Sequence, residues 1–460
     1  MQRSYIINKP GHRRLVIFFT GWSTNSGILR DVYIPPGYDL LCCWDYRELS
    51  WQETEKNYNE IVVIAWSFGV AAANILLPLI EVVGNVTGRY AINGSRIPID
   101  DHIGIPKLIF EGTMNSLDVR NLQKFRIRIA GGIARYKHFE KCLESELSIE
   151  ELREELIIFN ERNFLTKDSS HWDYVFISEN DKIFPASNLE NSWKDTPFSI
   201  LPREEHLPDF RKLFNLILKD KLSIGKNFEK SLLSYNISAS VQNQSCIRLM
   251  EILQEKGSSF KDILEIGSGS GNLTHLIKTS FLPRKLTVMD ITGIPPLSGV
   301  DFIRGDAEIL VKNLPSGSYD LVISGSTMQW FHSPGGMMKE IKRTLKNDGI
   351  FAFSTFISGT FKELSALSGD SLLYLTEQQW KDLANKMGYQ ILYSEVLQTV
   401  LTFDSVKEVF DHLKTTGVNS LSGGGKSVGE MRKIINSYPI KDGKRNLTYL
   451  SFIMILRKNG

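Results

Sequence analysis

Two short stretches of this 460-residue chain hold residue types and spacings that could do chemistry. The first, AWSFG, sets Ser67 between Ala65 and Gly69, after the apolar run IVVI and before small, helix-compatible residues. Small residues two positions either side of a serine fit a strained strand-to-helix turn, where bulk would collide and the hydroxyl stands up as a nucleophile. The second, EIGSGSGNL, sets Glu265, Gly267, Gly269 and Gly271 between another apolar run and another helix pattern. Glycines so spaced let a nucleotide-like ligand approach the backbone where a side chain would block it.

A serine nucleophile of this type needs an acid and then a histidine further along, each just after a strand. WDYVFISENDKIFP places Asp181 after one strand-like run, and FSILPREEH places His206 after the next. His206 would take the serine proton, and Asp181 would orient and stabilise the imidazolium. The oxyanion donors expected are the N–H of Phe68, next after the nucleophile, and that of Trp22 in FFTGW, where Gly21 lets the backbone turn. His171 is the competing base, but it precedes the strand that Asp181 follows. Singly, these residues also read as a serine at a helix start, a turn aspartate and a loop histidine. Together and in this order they give a serine esterase.

The glycine stretch is G-x-G-x-G, and Asn272 stands where a dinucleotide fingerprint has its third glycine. An acid just before the loop and another ending the next strand, Asp290 in LTVMD, suit S-adenosylmethionine better, with NAD(P) the alternative. Asp290 would then bind the ribose hydroxyls, Asp306 in RGDAE would lie by the adenine, and Glu265 would support the loop. His332, in QWFHSP, reads as a loop residue and not as a base.

The elements that must position these residues fall into two sets, as the chain's length leads one to expect. Residues 1–215 alternate strand and helix signals, with a mostly helical insertion near 115–165 that would form a cap. Residues 226–460 open with two helical patterns and continue as a second open α/β sheet, after a short linker KDKLSIGK. LSGGGKS (421–427) lacks phosphate-loop spacing and reads as a plain loop. With 54 basic and 52 acidic residues, net charge gives no reason to expect nucleic acid or membrane as partner. Cys42, Cys43, Cys142 and Cys246 encode neither a disulfide framework nor a zinc site. The start lacks the apolar core, about 7–15 residues long, of a signal peptide. No apolar run approaches the ~20 residues that span a bilayer, so a cytoplasmic protein is expected.

FFTGW, DLLCCWDY, AWSFG, AINGSRIPIDDHIGIP and ENDKIFP together resemble the BioG-type pimeloyl-[acyl-carrier protein] methyl ester esterases of biotin synthesis, over roughly residues 1–212. That resemblance implies an α/β-hydrolase fold with Ser67, Asp181 and His206 as its triad. FEKSLLSYNISASVQNQS, ILEIGSGSGNLT, IRGDAE, YDLVISGSTMQWF and FSTFISGTFKEL resemble the BioC family of malonyl-[acyl-carrier protein] O-methyltransferases, over about residues 226–460. It implies a class I, Rossmann-like methyltransferase fold with Tyr235 and Gln242 in a helical lid over the cofactor. The segment after Asp290 is shorter than that fold often has. The two resemblances imply acts that bracket chain elongation: a methyl ester is put on malonyl and taken off pimeloyl, both on acyl-carrier protein. Arg120, Lys124, Arg126 and Arg128, in a run with no acid between 119 and 137, would form a basic rim for that carrier or a solvated helix face. A broad-specificity esterase fused to a small-molecule methyltransferase, or a non-catalytic carrier-protein scaffold, are the other readings.

Overall fold

The computed structural model describes residues 1–52, 54, 56–162, 171–221, 223–229, 239–255, 259–292, 297–368, 373–416 and 428–459. The chain divides into two compact units, Met1–Ile217 and Leu218–Gly460.

In the first unit β1 (Gln2–Ile7), β2 (Arg14–Phe19), β3 (Tyr38–Trp44), β4 (Glu60–Trp66), β5 (Val86–Ile92), β6 (Tyr174–Ser178) and β7 (Phe198–Leu201) form one sheet, ordered β1-β3-β2-β4-β5-β6-β7. Every pairing is parallel except that of β1, which runs antiparallel to β3. Strands covered on both faces read as unbroken apolar runs, and every residue of β3 and β4 is buried. β1 has no counterpart among the expected strands. Its residues are alternately exposed and half-buried, an edge strand whose polar letters hide it. Helix α1 (Phe68–Val83) follows β4 directly, and Ala71, Ala72 and Ala73 are fully buried, as close helix-on-sheet packing requires.

Between β5 and β6 come α2 (Lys107–Asn115), α3 (Val119–Ala130), α4 (Ile133–Phe139) and α5 (Ile149–Glu161). This insertion starts earlier than the sequence suggested. α5 is fixed at its start by a reciprocal cap, Glu151 N–H to Ser148 Oγ at 3.2 Å and Ser148 N–H to Glu151 Oε2 at 2.8 Å. Its buried side chains are Leu152, Glu155, Leu156 and Phe159.

In the second unit β8 (Asp262–Ile266), β9 (Lys285–Asp290), β10 (Asp301–Arg304), β11 (Tyr319–Gly325), β12 (Leu345–Phe356), β13 (Tyr389–Phe403) and β14 (Arg445–Lys458) are ordered β10-β9-β8-β11-β12-β14-β13. The first five pair in parallel, and β14 runs antiparallel to both β12 and β13. Strand order reverses at β8, whose neighbours are β9 and β11. In an open α/β sheet the crevice beyond the carboxyl ends of strands at that reversal is where ligands bind.

The stretch KDKLSIGK, expected as a linker, lies inside this second unit, with Lys219 and Lys221 only 7% and 4% exposed. Lysine composition gave no hint of burial, because the acceptors that make it possible lie more than 80 residues away. Among the described residues no helix is long and apolar enough to cross a membrane. No His, Cys, Asp or Glu cluster among them could hold a metal ion, and all four cysteines are buried and free.

Candidate active sites

Ser67 joins β4 to α1 with φ 57° and ψ −128°, a left-handed conformation that non-glycine residues rarely adopt. Strain of this kind persists only where the surroundings over-determine it. Here the Ser67 N–H is held by the Ile92 carbonyl at 3.0 Å. A Cβ at Gly69 would run into the carbonyl oxygens of Phe19 and Thr20, so the small residue two places on is a steric necessity.

His206 Nε2 lies 3.0 Å from Ser67 Oγ, and His206 Nδ1 lies 2.8 Å from Asp181 Oδ2. The other Asp181 oxygen accepts the N–H groups of Ile183 at 2.7 Å and Phe184 at 2.9 Å, which fixes the carboxylate plane. The imidazole lies against Phe184, nearly parallel at 5.9 Å, and against Trp66 at 5.3 Å. All three polar residues are buried. His171 is paired with Asp173 at 3.1 Å, just before β6 and away from this cluster.

Trp22 and Phe68 line the same cavity as Ser67. Phe68 opens α1, where the first N–H groups have no intrahelical acceptor. The Trp22 indole is fastened to the Leu152 carbonyl in the cap at 3.0 Å. The cavity, of about 410 Å³, is walled mostly by apolar side chains such as Phe110, Phe125, Leu156 and Ile183, with Thr113 and Arg128 also among its described lining residues. Phe68 stacks on Phe159 at 4.6 Å, tying the elbow to the cap.

Of the expected basic rim, Arg120, Lys124 and Arg128 are exposed on α3. Arg126 differs: it is half-buried, reaches back to the Ser23 carbonyl at 3.5 Å, and burial pulls its pKa down. Residues three and four apart share a helix face, and Arg126 sits on the face that carries Leu122 and Ile129 inward.

In the second unit the glycine loop follows β8 with Gly267, Gly269 and Gly271 all at positive φ. A Cβ at Gly267 would collide with the Thr327 side chain, whereas Gly269 faces open space in a cleft of about 830 Å³. Asp290 Oδ2 accepts the Gly269 N–H at 2.8 Å, and Oδ1 accepts the Thr292 N–H at 2.7 Å. A carboxylate bound to the loop repels a pyrophosphate and suits a cationic ligand. Asp306 also lines the cleft, with Ile291, Phe228 and Trp330 as apolar wall.

Glu265 is fully buried behind the loop, beside the Thr274 hydroxyl. Burial pushes its carboxyl up to about 8, against the lowering effect of the Thr274 hydroxyl and with the Asp290 charge as a lesser raising cause. Gly271 caps helix Asn272–Phe281, and Gln242 is buried on helix Ser240–Glu255; neither is among the residues lining the cleft. Tyr235 and LSGGGKS lie outside the described residues. His332 is buried, not looped into solvent, and its Nε2 accepts the Lys219 N–H at 3.3 Å. An apolar slot edged by carboxylates, with a buried acid behind a glycine cradle, fits S-adenosylmethionine.

Sequence reasoning missed Asn93. Its amide donates to the His206 carbonyl at 2.9 Å and to Ser178 Oγ at 2.8 Å, and its oxygen accepts the Ser178 N–H at 2.7 Å. An Asn-Gly pair after a strand is an ordinary turn signal, so nothing local marks this role.

Residues 1–207 match the family described as pimeloyl-ACP methyl esterase BioG, and residues 264–353 match a methyltransferase domain family. A malonyl-[acyl-carrier protein] O-methyltransferase of Bacteroides fragilis (strain 638R) is 32% identical over 98% of this chain and 94% of its own. Another bearing that name, from Haemophilus influenzae, is 31% identical over 52% of this chain and 95% of its own. A crystal structure of BioG from Haemophilus influenzae shares 29% identity, covering 45% of this chain and 94% of that one, with a TM-score of 0.41. The matched methyltransferase families give S-adenosylmethionine as the cofactor. The chain belongs to the family of malonyl-[acyl-carrier protein] O-methyltransferases, as a fusion that joins a BioG portion to a methyltransferase portion in one polypeptide.

Proposed function

We propose that the first unit is a serine esterase of α/β-hydrolase fold that removes the methyl ester from pimeloyl-[acyl-carrier protein] methyl ester. The second unit, on this reading, methylates the free carboxylate of malonyl-[acyl-carrier protein], and both acts serve biotin synthesis. The observation that carries the esterase is the relay of Ser67, His206 and Asp181 at 3.0 and 2.8 Å, on a serine held at φ 57°.

In hydrolysis Ser67 Oγ attacks the ester carbonyl while its proton passes to His206 Nε2. The N–H groups of Phe68 and Trp22 stabilise the oxyanion. Methanol leaves with the proton from His206, and an acyl group remains on Ser67. His206 then deprotonates a water that cleaves this acyl ester, restoring the serine and releasing the carboxylate. Asp181 stays ionised and holds the imidazole tautomer.

Pimeloyl and malonyl esters differ by four methylenes, each worth ~0.8 kcal/mol when buried. An apolar cavity under the cap converts that into about 3 kcal/mol, roughly a hundredfold preference for the longer ester. The protein is thereby kept from hydrolysing its own methylation product.

Bound S-adenosylmethionine supplies an activated sulfonium methyl. Asp290 would hold its ribose, Asp306 its adenine, and the glycine loop its approach to the backbone. The malonyl carboxylate is already ionised at neutral pH. The chain therefore needs no general base, only to orient the acceptor in line and exclude water.

The test is to incubate the purified chain with methyl-labelled S-adenosylmethionine and malonyl-[acyl-carrier protein], and separately with pimeloyl-[acyl-carrier protein] methyl ester. Label on the carrier and methanol release are the expected results. Equal kcat/KM for malonyl and pimeloyl methyl esters would remove the pocket argument and point to a broad-specificity esterase.

A further inference from the structure

The stretch that reads as a linker in the sequence walls the cofactor cleft. Ile224 and Phe228 give it apolar surface, and the Phe228 ring meets Trp330 edge-on at 5.8 Å. Lys221, also in the lining, donates from Nζ to Asp306 Oδ2 at 2.8 Å and to Glu308 Oε2. Asp306 Oδ1 accepts the Glu308 N–H at 3.1 Å, so both oxygens of Asp306 are held. Glu308 in turn accepts the N–H groups of His332 at 2.9 Å and Ser333 at 2.8 Å, on the loop after β11. Two positions before Lys221, Lys219 Nζ reaches the Gln329 carbonyl at 3.1 Å and the Phe331 carbonyl at 2.5 Å on that same loop. One buried ammonium thus lies between buried Glu308 and half-buried Asp306 at the cleft wall.

A carboxylate fixed at both oxygens still has a lone pair on each, and a purine 6-amino group donates where a 6-oxo group can only accept. Without its ammonium, Asp306 would face Glu308 as one like charge beside another, with its plane released.

We propose that Lys221 is a positioning residue for nucleobase selection: it holds Asp306 so that this carboxylate accepts the 6-amino group of the cofactor's adenine. The joining segment is therefore part of the methyltransferase recognition site. This rests on the assignment of Asp306 to adenine.

The experiment is calorimetric titration of the full chain with S-adenosylhomocysteine and with S-inosylhomocysteine, which carries oxygen in place of the 6-amino group. The wild-type chain should prefer the adenosyl ligand by about tenfold or more, the size of one charge-assisted hydrogen bond. Lys221→Met should collapse that ratio towards unity, through loss of adenosyl affinity, and Lys221→Arg should recover most of it. A merely structural lysine would weaken both ligands alike, so an unchanged ratio in Lys221→Met overturns the proposal whatever happens to each affinity. Asp306→Asn separates the two assignments. If it leaves the ratio unchanged, the adenine assignment itself fails; if it collapses the ratio while Lys221→Met does not, only the role of Lys221 falls. Should Lys221→Met not fold, Lys221→Gln, which keeps a donor but no charge, is read by the same ratio.

Discussion

The side-chain amide of Asn93 donates to the backbone carbonyl of His206 over 2.9 Å, joining the end of β5 to the loop that presents the imidazole. The Trp66 indole donates to the same carbonyl at 2.8 Å from the residue before the nucleophile. The histidine is therefore located by its backbone from the two strands that frame Ser67. Asn93 sits at φ 45°, which asparagine and aspartate tolerate better than most residues. Asn93→Asp keeps that tolerance and an acceptor for Ser178, but sets an acceptor against the His206 carbonyl. We expect kcat for ester hydrolysis to fall by about 10- to 100-fold with KM nearly unchanged, since a loss of 1–3 kcal/mol is usual for an unmet buried polar contact. A change confined to KM would refute the positioning role.

Ser67→Ala should abolish ester hydrolysis and leave methyl transfer intact, because each candidate site is built wholly from residues of its own unit. Methanol release and label transfer, assayed on one folded preparation, check this. Loss of both activities together would contradict separate sites.

Replacing exposed Arg120 and Lys124 by glutamate should raise KM for carrier-bound ester about tenfold and spare a small soluble ester. Rim charges act chiefly on encounter with an oppositely charged partner. Arg126 is a poor choice for this test, because its half-buried guanidinium packs under α3 and a carboxylate there would lower stability. Equal damage to both esters in a folded variant would show that the rim does not dock the carrier.

Asp290→Asn should weaken S-adenosylhomocysteine binding by on the order of 10- to 100-fold, the loss of one charge-assisted bond of about 1.5–3 kcal/mol. Esterase activity should not change. Calorimetry showing undiminished affinity would move the ribose contact elsewhere.

Glu265 gives a pH signature. Its folded carboxyl is pushed up to about 8 by burial, against an ordinary value of 4.5. Between those two values the folded chain holds a proton that the unfolded chain has released, so this group's contribution to stability falls as pH rises through that window. Glu265→Gln removes the titration. The Tm of the ligand-free variant should therefore decline less than that of the wild type between pH 5 and 8. Parallel declines would mean that the carboxyl does not titrate there.

Much of this was legible in the letters. Apolar runs such as LVIFF in β2, LLCCW in β3 and IVVIAW in β4 marked parallel strands, because burial on both faces favours them. Ser67, Asp181 and His206 could be read because each sits just past a strand, and the expected order of acid and base follows from sheet connectivity. The glycines could be read because close approach tolerates no Cβ. β1 could not be read, since an edge strand with one solvated side carries no unbroken apolar run, even though a Pro10-Gly11 turn follows it.

The sequence by itself determined the two sheets, the elbow, the glycine loop and the residues whose chemistry they present, since these depend on local periodicity and on sterics within a few positions. Only the tertiary structure decided that Asn93 and Trp66 hold the histidine, that Arg126 turns inward, that Lys219 is buried against the loop after β11, and that Lys221 lines the cleft beside the glycine loop. Those facts rest on contacts between residues 85 to 140 positions apart, where a buried donor is stable only because a distant acceptor meets it, and no local pattern records which acceptor that will be.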